Sequence, residues 1–234
     1  MIINNTFGFI FVHVPKAAGT TITSVLRSAS CYCDIEVGGT ALGEAIQPFY
    51  KQRFGLAKHS TAREIKSVVG EVKWKQSFTF AIVRNPYARI YSAFNFMKKV
   101  RAERNLSVLE PLDRLHSFVD FVESDFFNSD GMDRILMPQI FWLRADAKDS
   151  PVIVDFVGKV EQLAESLRTI GDALPAARKY FNPAEIPQLN RTDSELGLQD
   201  GALDWLAIPH LEHRVHEKYK MDFKVFNYAR HGES

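Results

Sequence analysis

Cysteine is nearly absent: the 234 residues hold two, Cys31 and Cys33, one residue apart. That is too few for a disulfide framework and lacks the second pair a zinc site needs, so reduced, semi-buried thiols are expected. A surplus of one charge is missing too. With 29 Lys+Arg against 28 Asp+Glu the formal net charge is +1, which argues against a nucleic-acid coat or a strongly basic membrane binder; an anionic partner must be met locally. No apolar run approaches a membrane-spanning length, and Met1 leads into Phe7–Val14 with neither a basic lead nor a cleavage-site pattern. These absences give the expectation of a soluble, cytoplasmic chain with no transmembrane segment and no nucleic-acid partner.

What is present is core. Hydrophobic residues make up 46% of the chain, enough for one domain over residues 1–234. Phe7–Val14 (FGFIFVHV) and Phe78–Val83 (FTFAIV) read as strands covered on both faces, and Val152–Val157 as another. Helices are expected over Thr20–Arg27, over Thr61–Val69 behind a capping-box pattern with Gly70 at its stop, and from Tyr87 to Arg101 with Pro86 in the first turn. Further helices are expected over Leu112–Val122, over Met132–Leu143 bent at Pro138, over Val160–Leu174, and over Leu203–Tyr219 restarted at Pro209. Residues 31–58 read as irregular, with a possible helical piece over Ala41–Phe54. The order of elements implies an α/β fold with a parallel sheet.

The stretch FVHVPKAAGTTITSVL, Phe11–Leu26, enters as a strand and leaves as a helix. A strand that turns into a helix through small residues leaves unpaired N–H groups and partial positive charge at the helix start, which together trap an anion. The triphosphate-binding loop has its lysine after the last glycine. Here Lys16 precedes Gly19 and the loop is shorter, which fits a smaller anionic group at Thr20 and Thr21. The second strand ends in Arg84, where a magnesium-dependent enzyme would place an aspartate; an arginine there suits a second anion. Asp155 keeps a nucleotide-kinase alternative open.

Taken in order, HVPKAAGTTI, FAIVRNPYARIYSAF, VGKVEQL and YKMDFKVFNY resemble the motifs of the sulfotransferases that use 3′-phosphoadenosine 5′-phosphosulfate (PAPS), especially the Golgi carbohydrate sulfotransferases and their bacterial relatives. The resemblance runs from His13 to Tyr228 and implies a P-loop-NTPase-like three-layer α/β fold, a central parallel sheet flanked by helices. By the same resemblance, Lys16, Ala17, Ala18, Gly19, Thr20 and Thr21 form the 5′-phosphosulfate loop, and Arg84 and Ser92 bind the 3′-phosphate. The segment KHSTAREI is similar to the one that carries a catalytic histidine, which makes His59 the expected general base and Lys16 the residue on the leaving oxygen; His13 is the alternative base. The run PQLNRT resembles a loop that closes over the nucleotide, so Asn190, Arg191 and Thr192 are expected at the donor, with a solvated connecting loop as the alternative.

Golgi relatives carry a membrane anchor not seen here, so a bacterial-type enzyme is expected. Its acceptor would be a hydroxyl on a glycan or a small molecule, and no metal is required. The rivals are a phosphate-transferring kinase built on Asp155 and a non-catalytic nucleotide- or glycan-binding module. The basic run Lys98–Arg104 reads as a charged helix end, Trp142 and Trp205 as core, and His210, His213 and His216 as spread around a helix without a metal.

Overall fold

The computed structural model describes residues 1–146, 150–185 and 204–232. The chain forms two compact units, Met1–Val83 with Gln139–Asn190 and Arg84–Pro138 with Arg191–Ser234. Its strands are β1 (Ile2–Asn4), β2 (Phe9–Val12), β3 (Ile35–Glu36), β4 (Phe78–Val83) and β5 (Phe156–Lys159). Among the described residues the α-helices are α1 (Gly19–Leu26), α2 (Ala41–Phe54), α3 (Ala62–Gln76), α4 (Pro86–Glu103), α5 (Phe118–Glu123), α6 (Ile140–Leu143), α7 (Leu163–Ala173) and α8 (Pro209–Val225).

All five strands among the described residues belong to the first unit, in the order β3-β1-β2-β4-β5. β2, β4 and β5 run parallel, with Val12 beside Ala81 and Val83 beside Lys159. The two strands at the other edge run antiparallel, β1 against both β2 and β3. Alternation along β2 and β4 sends Phe9, Phe11, Phe80 and Ile82 to one face, where they pack against Ile22 and Leu26 of α1 and Leu167 and Ile170 of α7. Phe80 lies 5.4 Å from Phe11 and 5.8 Å from Phe9 between ring centroids. α3 also packs on β4, and helices thus flank the sheet. The expected α/β architecture with parallel strands is present, and the antiparallel edge is an addition to it.

The second unit is a helical cluster in which α4, α5 and α8 bury Phe94, Phe118, Phe121, Trp205, Val215 and Phe223. Wholly buried Arg89 donates to the carbonyls of Ile135 at 3.1 Å and Met137 at 2.5 Å, and stacks over the Tyr219 ring. Tyr87 donates its hydroxyl to Glu212, which also holds Arg230 at 2.7 Å.

Several boundaries differ from expectation for identifiable reasons. β1 and β3 have three and two residues, too few to show a period. β5 starts at Phe156 and ends in Gly158-Lys159, while Val152, expected within it, makes only an isolated bridge to Arg144. Within residues 31–58 the helical piece read over Ala41–Phe54 forms with those bounds as α2, behind a Thr40 cap. The Thr61–Glu64 capping box forms as read, and the helix continues past Gly70 across a kink to Gln76. Pro111 and Pro138 confine the expected helices around them to 3-10 turns and the short α5 and α6. Pro209 opens α8, which runs on to Val225.

Candidate active site

β2 and β4 are parallel neighbours, so their C-terminal ends open on one sheet edge, where ligands gather in open α/β folds. Beyond β2 the chain buries His13, Val14, Pro15 and Ala17 and leaves Lys16 half-buried. Lys16 (φ 63°) and Ala18 (φ 55°) both occupy the left-handed region, a conformation costing a non-glycine residue about 1–2 kcal/mol. Two such residues in three positions is strain concentrated on a tight loop. Gly19 has no alternative, because a Cβ there would stand 1.6 Å from His13 Nε2. α1 then begins with Ala18, which has no side chain to cap it, accepting from Ile22 N–H at 3.0 Å. Thr20 is exposed and Thr21 buried in the first turn. Small residues thus lead directly into the start of a helix, where unpaired amides and the helix dipole favour negative charge.

His59 sits between α2 and α3, directly before the Thr61 capping box. Its Nδ1–H donates to the His13 carbonyl at 2.9 Å, which fixes the tautomer and leaves the Nε2 lone pair to accept a proton. The half-buried ring meets His13 edge-on at 4.6 Å and Trp142 at 6.1 Å. Burial lowers its pKa from 6.5 to about 3, with the nearby Lys58 ammonium adding to the fall. His13, 3% exposed and stacked on Phe11, is pushed well below 6.5 by burial first and by His59 next. Both imidazoles are therefore neutral at pH 7. Lys58 pairs with Glu44 of α2 at 2.9 Å, and its backbone N–H donates to Gln47 at 2.7 Å, so α2 anchors the His59 segment.

The second motif begins where β4 ends. Arg84 is half-buried, Asn85 caps α4 by accepting from Tyr87 N–H at 3.0 Å, Pro86 takes the first helical position, and half-buried Ser92 lies on that helix. In β5, Gly158 is fixed by close packing, since a Cβ would stand 2.7 Å from both Ile82 and Ser166. Asp155 does not occupy the position the kinase alternative requires. It precedes β5, and its carboxylate accepts from Thr79 N–H at 2.7 Å and Thr79 Oγ1 at 2.8 Å, at the N-terminal end of β4. A metal-binding aspartate belongs at the opposite end of the strands.

Other features resolve as structure. Arg101 pairs with Asp113 at 2.6 Å, and Lys98 donates to the Leu115 carbonyl at 2.9 Å, so the basic run is tied to its own unit. Trp142 and Trp205 are core. The cysteines are free and exposed, not semi-buried as expected, because the turn they form projects from the Asp34 network. Among the described residues no group of three His, Cys, Asp or Glu could hold a metal ion, and no described helix is long and apolar enough to cross a membrane. Asn190, Arg191 and Thr192 lie outside the described residues. Nothing in the residue order signals that Trp142 approaches His59, or that the carbonyl of His13 orients it. Their partners lie dozens of positions away, beyond any periodic signal.

The model of the Sulfotransferase family matches residues 1–229. No curated protein and no solved structure matches the chain.

Proposed function

The chain belongs to the sulfotransferase family, and from that premise we propose that it moves a sulfuryl group from PAPS to a hydroxyl of a carbohydrate acceptor by in-line transfer, with His59 as general base. The loop from Lys16 to Thr21 carries this reading. Its lysine comes before the glycine, its left-handed residues are strained into place, and Gly19 lies so close to the His13 ring that a Cβ there would overlap it. In this reading residues 1–234 act as one sulfotransferase domain, supported by a family match that crosses both compact units. The exposed free thiols of Cys31 and Cys33 suit a reducing, cytoplasmic setting.

PAPS supplies an activated sulfuryl group whose transfer leaves negative charge on the phosphate oxygen. Lys16, Ala17, Ala18, Gly19, Thr20 and Thr21 hold the 5′-phosphosulfate, and the Lys16 ammonium stabilises the charge that develops on the leaving oxygen. Arg84 and Ser92 take the 3′-phosphate, an assignment supported by the motif that places them behind β4 and on α4. Asn190, Arg191 and Thr192 complete the donor contacts in this assignment, on sequence resemblance alone.

His59 accepts the acceptor's proton at Nε2, because Nδ1–H is engaged with the His13 carbonyl. Burial is the main cause of that ring's pKa of about 3, with the Met1 amino group and the Lys58 ammonium adding to the fall. Negative charge bound at the loop opposes that shift and raises the basicity of His59. The chemistry asks for no metal, and the position of Asp155 argues against the kinase alternative.

The test is an assay with labelled PAPS, a panel of glycans and small hydroxyl compounds, and a chelator present. Label transferred to an acceptor with matching release of 3′,5′-adenosine bisphosphate is the expected result. Tight binding of the bisphosphate with no transfer to any acceptor would make the chain a non-catalytic module instead.

A further inference from the structure

His13 does more than lend its carbonyl. Its imidazole is 3% exposed and its Nδ1 is buried with no hydrogen-bond partner, a state that lowers stability and that an aliphatic side chain of similar size would avoid. A buried, unsatisfied nitrogen calls for another reason to be there. The ring's surroundings supply one: Nε2 lies 1.6 Å from where a Cβ on Gly19 would stand, and the ring centroid is 4.6 Å from that of His59. The ring is thus wedged between the start of α1 and the candidate base, with Phe11 stacked behind it at 5.6 Å.

We propose that His13 is a positioning residue for sulfuryl transfer, its imidazole setting the separation between the Lys16–Thr21 loop and His59 Nε2. The proposal rests on the function inferred above. The titratable groups around it are His59, the Met1 amino group, Lys58 and Lys16. All of them disfavour a charge on His13, so a proton taken up at His59 stays there and the wedge remains neutral. Misplacing reacting groups by about 1 Å can cost on the order of 100-fold in rate, so a spacer at this point has leverage on kcat.

The experiment compares His13→Leu with His13→Gln, reading kcat, the donor KM and Tm. His13→Leu is expected to keep or raise Tm while kcat falls roughly 10- to 100-fold, with the donor KM within about threefold of the parent. His13→Gln, which can return a polar atom near the Nε2 position, is expected to recover part of kcat without the gain in Tm. A purely structural residue would show the two readouts moving together. Equal kcat in His13→Leu and the parent overturns the proposal while leaving the function intact; a parent that transfers no sulfate overturns both. Should His13→Leu not fold, His13→Gln decides: kcat equal to the parent's in that variant overturns the proposal, and a lowered kcat at an unchanged Tm supports it.

Discussion

Asp155 and Thr79 exchange four hydrogen bonds at the N-terminal end of the parallel strands, whereas at the C-terminal end Lys16 and Ala18 are held in the left-handed region and His13 keeps a buried nitrogen without a partner. The two ends belong to one sheet with one core behind it. One end satisfies its polar groups internally and the other holds strain and unmet hydrogen-bonding capacity. Strained backbone beside a buried side-chain nitrogen without a partner is where a ligand can contribute what the fold withholds. The difference is the one expected between a structural end and a candidate ligand-binding one.

Substitutions can break that separation. The largest effect is expected from His59→Ala, a loss of about 10²–10⁴-fold in kcat, measured as initial rates of labelled sulfate transfer, with a fall in Tm because the His13 carbonyl loses its donor. Next comes Lys16→Ala, with a loss of about 10²–10³-fold; Ala carries the same left-handed penalty as Lys at this position, so Tm should be nearly unchanged. At the other end the pattern should invert. Asp155→Ala is expected to cost about 1–3 kcal/mol in denaturant unfolding, because the Thr79 donors lose their acceptor, while kcat holds. Thr61→Ala, which removes the α3 cap behind His59, should cost about 1 kcal/mol and lower kcat only slightly.

Acid sharpens the comparison further. His59 has its pKa depressed from 6.5 unfolded to about 3 folded, so between those values the unfolded chain binds the extra proton and stability falls as pH falls. Unfolding midpoints measured from pH 7 down to pH 4 should decline, and His59→Gln should flatten the decline. An unchanged slope in that variant would show that His59 titrates normally in the folded protein.

Much of this was legible in residue order. FVHVPKAAGTTITSVL announced a strand and a helix joined by a short loop, and the strand and the helix formed within a few positions of their expected bounds. The Thr61–Glu64 box and Pro86 fixed two helix starts, since capping is chemistry between neighbours. Asp155 misled for the opposite reason. An apolar run ending in aspartate looks the same at either end of a strand, and only pairing with β4 reveals that β5 begins after Asp155.

The sequence by itself determined the local pieces: which segments are strand or helix, where a loop gathers small residues and a lysine, and to which family the chain belongs. Those properties are set by side-chain period, capping and turn chemistry over a few residues. Tertiary structure alone decided that His59 would meet the His13 carbonyl 46 positions away, which nitrogen would remain basic, and that the ring of His13 would leave no room for a side chain at residue 19. Such contacts depend on how parallel strands bring distant loops to one sheet edge, and no local pattern encodes that distance.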